Sequence, residues 1–411
     1  MKNINFKSCL FKTIGFINFN QNFYNGLILN GYIKKEIDAE TQKFLQNSYH
    51  LEYLRIMFSN EENGVQIITK QVNHQISIIK RKTIVELIGI KIFIFNNDYE
   101  STKTAIFTLD FSPSNNSLDE ISNISNDLKN HDCEISFDSK VFLLKDFISN
   151  ELFFDNHLFE SNSSLQKYAG NKFKNYLILD FDKEDFNRDH LLYELGTSST
   201  IGTIKQNSIE APSFMYINKI LENKISCFNN YECLTLLNSF TVVGSNNFDA
   251  EYEHTYSTWN DIYFSLYIYN LYIKSSLQIL LNDFTSDPIN KRKEFQKFYN
   301  KYYFKKISYN FLPNEIFKGI VKSLEIEEDI EFIQNRLETL AIQVNEKQQK
   351  NQEFLLSCIS ILALLETPIH IDGIRELIGA HNIIIYNSFV YPSIVLTLIM
   401  AIFFRFRNKN K

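Results

Sequence analysis

The residue with the clearest chemical potential is Glu366. It follows the apolar run Phe354–Leu365, FLLSCISILALL, near the end of the chain. A carboxylate among hydrocarbon costs roughly 2.5–3.5 kcal/mol on insertion scales, so such a group turns toward water or a partner. Gln352, Ile359, Ala363, Glu366 and His370 recur along one helical face. A polar stripe at membrane depth is what lines a pore. The alternative is a helix that ends at Leu365, with Glu366 wetted at the interface. Leu355, Leu356 and Ile359 are large apolar positions that could close such a pore by excluding water. As a metal ligand, Glu366 would attract Mg2+ or another divalent cation.

A second constellation is the loop from Glu194 to Thr203, ELGTSSTIGT. Backbone amides and hydroxyls of Gly196, Thr197, Ser198, Ser199, Thr200 and Gly202 are of the types that hold a phosphate. No Lys-Ser/Thr pair follows the second glycine, so the segment is not a P-loop. A plain surface loop is the competing reading. Asp180, Asp182, Glu184 and Asp185 crowd one stretch but lack the glycine and closing glutamate of an EF-hand, which favours a solvated acidic turn. Asp249, Glu251, Glu253 and His254 read the same way. No Gly-x-Ser-x-Gly and no His-Glu-x-x-His occurs, and an enzyme is not expected.

These residues must be positioned by a chain of 411 residues with 44% hydrophobic content and a net charge of −6. That balance offers no basic face for direct nucleic-acid binding. The five cysteines are scattered without a Cys-x-x-Cys pair, which fits reduced thiols. Lys2, Lys7 and Lys12 interrupt the N-terminus, so no signal peptide is expected there. Short β-branched runs predict strands at Val65–Thr69, Ile76–Ile79, Ile84–Phe95, Thr104–Leu109, Tyr176–Phe181, Ile225–Phe228 and Cys233–Val243. Ser112–Asn130 reads as a polar loop or short helix. From Tyr256 the apolar spacing turns helical, and Asp287-Pro288 marks a helix start before Lys291–Lys306.

Ile326, Ile330, Ile333, Leu337, Leu340, Val344 and Lys347 then step by four and three, as in a heptad seam. With no Pro or Gly before Phe354, one helix of about 50 residues, roughly 75 Å, is expected. Extended through Ile374, the first apolar run reaches about 21 residues, and the uncharged run Ile383–Phe404 about 22, lengths that span a bilayer. Lys347 and Lys350 before this pair, and Arg405, Arg407, Lys409 and Lys411 after it, place both termini in the cytoplasm of a bacterial inner-membrane protein. The expected fold class is therefore an α+β or α/β cytoplasmic domain (1–255), a helical stalk with a heptad seam (256–352), and a two-helix transmembrane hairpin with a basic tail (353–411).

The heptad stalk, Asp372-Gly373-Ile374, Tyr391-Pro392 and Phe403-Phe404-Arg405 together resemble the CorA family of magnesium transporters over about the last 90 residues. The family's Gly-Met-Asn signature is absent, and Glu376-Leu377-Ile378 stand at its position. The resemblance implies a homopentamer in which Glu366 forms a cation-favouring ring. The loss of that signature removes the basis for magnesium selectivity, and a gated cation channel is the first expectation. CorA-like proteins that serve as antiphage effectors beside type III CRISPR loci suggest a nucleotide second messenger as the trigger. A divalent metal (magnesium) ion transporter and a membrane-tethered sensor without a pore are the alternatives.

Overall fold

The computed structural model describes residues 5–377 except 61–63, 96–102, 116, 156–157, 160–163, 183–185, 206–210, 246–257 and 283–287. The chain divides into two units, Met1–Ile333 and Gln334–Lys411. The first is organised around an eleven-stranded mixed sheet. Its strands are β1 (Ser8–Phe19), β2 (Ile33–Lys35), β3 (Gln66–Ile78), β4 (Thr83–Phe95), β5 (Lys103–Pro113), β6 (Glu134–Phe137), β7 (Lys140–Leu143), β8 (Lys174–Phe181), β9 (Lys224–Phe228), β10 (Tyr231–Leu236) and β11 (Ser239–Ser245). They lie in the order β7-β6-β3-β4-β5-β1-β8-β11-β10-β9, with β2 pairing with β3. The β8–β11 pair is parallel, and the other ladders are antiparallel.

The early helices are α1 (Gln21–Leu29), α2 (Ala39–Gln46), α3 (Leu51–Met57), α4 (Leu118–Leu128), α5 (Leu144–Phe147), α6 (Ser164–Ala169), α7 (Arg188–Gly196) and α8 (Phe214–Leu221). Local chemistry starts several of them. Asn20, Asp38 and Asn187 accept hydrogen bonds from the backbone N–H of Phe23, Thr41 and His190 at 2.8, 2.8 and 2.9 Å, satisfying donors that a first turn leaves open. The polar stretch after Ser112 forms α4, because Leu118, Ile121, Ile124 and Leu128 share a buried face. These residues join Phe107, Phe153 and Leu192 in the core on one side of the sheet.

The other side is covered by α9 (Phe264–Asn282). Tyr272 of α9 stacks on Phe95 of β4 at 3.8 Å, and Phe264 meets Tyr176 of β8 at 4.7 Å. Next come α10 (Pro288–Tyr302), opened by the expected proline, and α11 (Phe311–Ser323). Glu325, at φ 54°, separates α11 from α12 (Ile326–Leu377), a helix of 52 residues. Ile326, Ile330 and Ile333, the first three seam positions, are buried. The long unbroken helix is thus present, and its base belongs to the compact unit.

The expected architecture, a cytoplasmic α/β domain carrying a two-helix transmembrane hairpin in the CorA manner, is overturned. The observed fold is a large mixed-sheet domain with helices, and among the described residues no helix is long and apolar enough to cross a membrane. The physical reason lies in α12 itself. Its apolar run stops at Leu365, and the same helix continues through Glu366, His370, Asp372, Arg375 and Glu376. A run of about a dozen apolar residues is too short to cross a bilayer, and charged residues interrupt its extension. The run Ile383–Phe404 and the basic tail lie outside the described residues, as does Ile378.

Candidate functional site

Beneath α9 the aromatic face of the sheet holds an island of charge. Lys12 of β1 lies opposite Asp110 of β5 and Tyr176 of β8. Lys91 of β4 lies opposite Thr108, two residues before Asp110 and so on the same face. Lys12 Nζ stands 2.6 Å from Asp110 Oδ2, with the lysine side chain fully buried and the carboxylate 14% exposed. The ammonium also lies 5.1 Å from the centre of the Phe264 ring. Burial disfavours the charged amine, and neighbouring Lys91 adds repulsion. Asp110 and Asp261 oppose both, and the balance lowers the Lys12 pKa to about 8.

Asp261 sits on a π-helical turn, Thr258–Tyr263, directly before α9. Its Oδ1 is 3.6 Å from Lys35 Nζ on β2 and 3.8 Å from Lys91 Nζ. Above this pair opens a small hollow of about 30 Å3 lined by Lys35, Lys91, Asp261, Phe58 and Ser265, room for one or two waters. Tyr53 and Ser265 share a hydrogen bond of 3.0 Å at its base. Lys12 is sealed from solvent, so no substrate reaches its amine. The groups that can meet a ligand are Lys35 and Lys91.

A second buried amine, Lys174 of β8, donates to Asn238 Oδ1 at 2.5 Å. Its pKa is lowered to about 8, first by desolvation and then by Lys274. Lys274 itself pairs with Asp329 of α12 at 2.8 Å.

The Gly/Ser/Thr loop leaves α7 at Gly196 and is tied into the protein by its polar groups. Ser198 adopts φ 52°. Its Oγ accepts from Asn175 Nδ2 at 3.2 Å, and its carbonyl accepts from Lys129 Nζ at 3.2 Å. The Ser199 carbonyl accepts from Ser122 Oγ at 2.9 Å, and Thr197 and Ser199 hydroxyls meet at 2.8 Å. Thr200 and Thr203 hydroxyls lie 3.2 Å apart. Gly202 has φ 86°. The backbone N–H groups of Thr197, Ser198 and Ser199 donate to Tyr193, Leu195 and Glu194 carbonyls at 2.9, 3.0 and 2.7 Å. These groups join α4, β8 and α7, and the amide donors of Thr197, Ser198 and Ser199 are engaged within the protein.

Gln352, Leu355, Leu356 and Ile359 fall on α12, where Leu355, Leu356 and Ile359 are 58, 62 and 59% exposed. Ala363, Glu366, His370, Glu376 and Leu377 fall within the same helix. Asp180 is buried on β8 rather than lying in a solvated turn, and Asp182 is exposed. Glu184, Asp185, Asp249, Glu251, Glu253 and His254 lie outside the described residues. Among the described residues no group of three His, Cys, Asp or Glu side chains is placed to hold a metal ion.

The charged island escaped sequence reading because its members come from β1, β2, β4, β5 and the turn before α9. One signal was present: Lys12 is the single charge in Ser8–Phe19, and Asp110 the single acid in Lys103–Pro113. A lone charge inside an apolar strand needs a counter-charge across the ladder. No family model matches the chain, and no curated protein or solved structure matches it either.

Proposed function

We propose that the protein is a homo-oligomeric, ligand-responsive effector that works at a membrane and conducts cations when activated. The observation that carries this reading is α12. One helix begins in the compact unit, at the buried Ile326, Ile330 and Ile333, and runs unbroken to Leu377. A continuous helix can carry a change at its base to its far end. Ile342, Leu355, Leu356 and Ile359 are exposed on it, and apolar side chains in that number favour packing against further copies. The uncharged run Ile383–Phe404 supplies membrane affinity. Glu366, repeated around a symmetric assembly, favours cations.

A second reading is a membrane-bound sensor without a pore. In it, the uncharged run Ile383–Phe404 serves only as an anchor.

Ion flux through the purified full chain in liposomes separates them, with magnesium, potassium and sodium compared. Flux that appears on ligand addition and falls in Glu366→Ala supports the channel. Constitutive magnesium-selective flux replaces it with a transporter. Membrane binding without flux leaves the sensor.

A further inference from the structure

α10 and the residues after it concentrate charge of one sign. Lys291–Lys306 holds seven basic residues and one acid, in a chain whose net charge is −6. The acid, Glu294, is matched to Lys291 at 3.0 Å. The helix is also fixed in rotation. Phe295, Phe298 and Tyr302 are buried. Tyr272 of α9 lies 5.1 Å from the Tyr302 ring and 6.3 Å from that of Phe298, and Tyr269 of α9 donates a hydrogen bond to the Tyr302 carbonyl. A helix held by that face turns Arg292, Lys293, Gln296, Lys297 and Asn300 outward, and all five are exposed. Lys305 and Lys306, past its end, are exposed too.

A solvated helix face ordinarily mixes both signs, because opposite charges one turn apart attract. Here Lys293, Lys297 and Lys301 follow one another at that spacing, where like charges repel. Lys291, Arg292 and Lys293 crowd the N-terminal half, where the helix dipole disfavours cations, and the first turn holds no acid. Aromatic packing holds α10 in place against this repulsion, and a negative surface outside the protein would relieve it. Six of the seven basic residues are lysines. The planar fork of arginine suits nucleic-acid bases and phosphates, whereas lysine acts as a point charge and suits a diffuse array of headgroups. Ile289, at the head of the outward face, and Phe311, beyond its end, are exposed. Apolar groups among cations suit the boundary between headgroups and acyl chains.

We propose that the outward face of α10, continued by Lys305 and Lys306, docks on the anionic headgroups of a lipid bilayer. The choice of a bilayer over another polyanion rests in part on the membrane reading above; the charged face does not.

The test is co-sedimentation of the full chain with phosphatidylcholine vesicles, with and without phosphatidylserine. The parent should bind the anionic vesicles more tightly, and the difference should shrink as salt rises. Each cation near such a surface is worth roughly fivefold in affinity, so Arg292→Gln, Lys293→Gln and Lys297→Gln together should weaken binding to anionic vesicles at least tenfold. Binding to neutral vesicles should not change. Lys293→Arg with Lys297→Arg should keep the parent affinity. So should Lys80→Gln, Lys140→Gln and Lys219→Gln together, which remove the same charge from exposed sites outside α10. An unchanged melting temperature in both triple variants would show that the fold is intact. Equal binding of the two vesicle types by the parent, or equal losses in the two triple variants, would overturn the docking face and leave the membrane reading standing. Tighter binding to duplex DNA than to anionic vesicles, lost in the α10 triple variant, would overturn it in favour of nucleic acid. Binding to anionic vesicles alone, lost in the same variant, would keep the docking face and remove the membrane affinity ascribed to Ile383–Phe404. No binding to any vesicle would overturn both.

Discussion

Lys12 Nζ and Asp110 Oδ2 stand 2.6 Å apart across the β1–β5 ladder, with the lysine wholly out of water. An ion pair in that position gains little over an apolar pair, because desolvation offsets attraction, but half a pair is expensive. Asp110→Asn should therefore lower unfolding stability by about 3–5 kcal/mol. Lys12→Met together with Asp110→Leu should recover most of that loss. Urea unfolding of the three variants measures it. Equal losses in the single and double variants would mean that the pair is not the local determinant.

His131 sets an acid limit on the fold. Its ring lies 4.1 Å from Phe173 and 5.4 Å from Phe159, and burial lowers its pKa to about 4. The folded value lies below the unfolded one, so on acidification the unfolded chain takes up the proton first. Stability is then present above about pH 6.5 and lost progressively as pH falls toward 4. His131→Phe should lose about 2 kcal/mol less than the parent between pH 7 and pH 5. Parallel slopes for the two proteins across that range would contradict the assignment.

How much of this was legible in the sequence follows from which interactions are local. Ile84–Phe95 and Thr104–Leu109 were readable as strands because alternation and β-branching are local, and β4 and β5 contain them. Cys233–Val243 reads as one segment yet forms β10 and β11, since its Leu237-Asn238 turn has neither Gly nor Pro. Val65–Thr69 and Ile76–Ile79 fall on a single long β3, with a register shift between Gln71 and His74 in its pairing with β4. The apolar run before Glu366 has the composition of a membrane segment, but its length is a property of the whole helix, and the charges that follow decide it. The hollow over Asp261 was invisible because β2, β3, β4, the turn before α9 and α9 itself each give it one or two side chains. Only the long-range strand order brings those together.

The Gly196–Gly202 loop gives a sharp structural prediction. A Cβ on Gly196 would fall 2.7 Å from Leu234 Cδ2 and 3.4 Å from its Cγ, so either the buried Leu234 side chain or α7 must shift. Gly196→Ala should cost about 1–3 kcal/mol, as overpacking does. Ser198→Ala, which removes an acceptor from buried Asn175, should cost about 1 kcal/mol. If the loop is a structural tie, both losses appear in thermal unfolding. Inorganic phosphate that binds the parent and not Ser198→Ala, with stability unchanged, would return the loop to a binding role.

Lys274 and Asp329 connect the buried helix α9 to the first turn of α12. Their 2.8 Å contact has side chains 5 and 16% exposed, and Gln278 adds a hydrogen bond to Asp329 Oδ2 at 2.7 Å. The Lys318–Glu315 pair on α11 is slightly shorter at 2.7 Å, but its side chains are 58 and 33% exposed. Water screens the second pair, whereas breaking the first leaves a buried charge without its partner. A double-mutant cycle on Lys274→Met and Asp329→Ala should give a coupling of about 1–3 kcal/mol, against at most about 0.5 kcal/mol for Lys318 and Glu315. If α12 relays a change from the sheet, the same Asp329→Ala should also alter ligand-dependent flux at temperatures where the protein remains folded. A large coupling energy with flux unaltered would make this contact a fastening of α12 and not part of its relay.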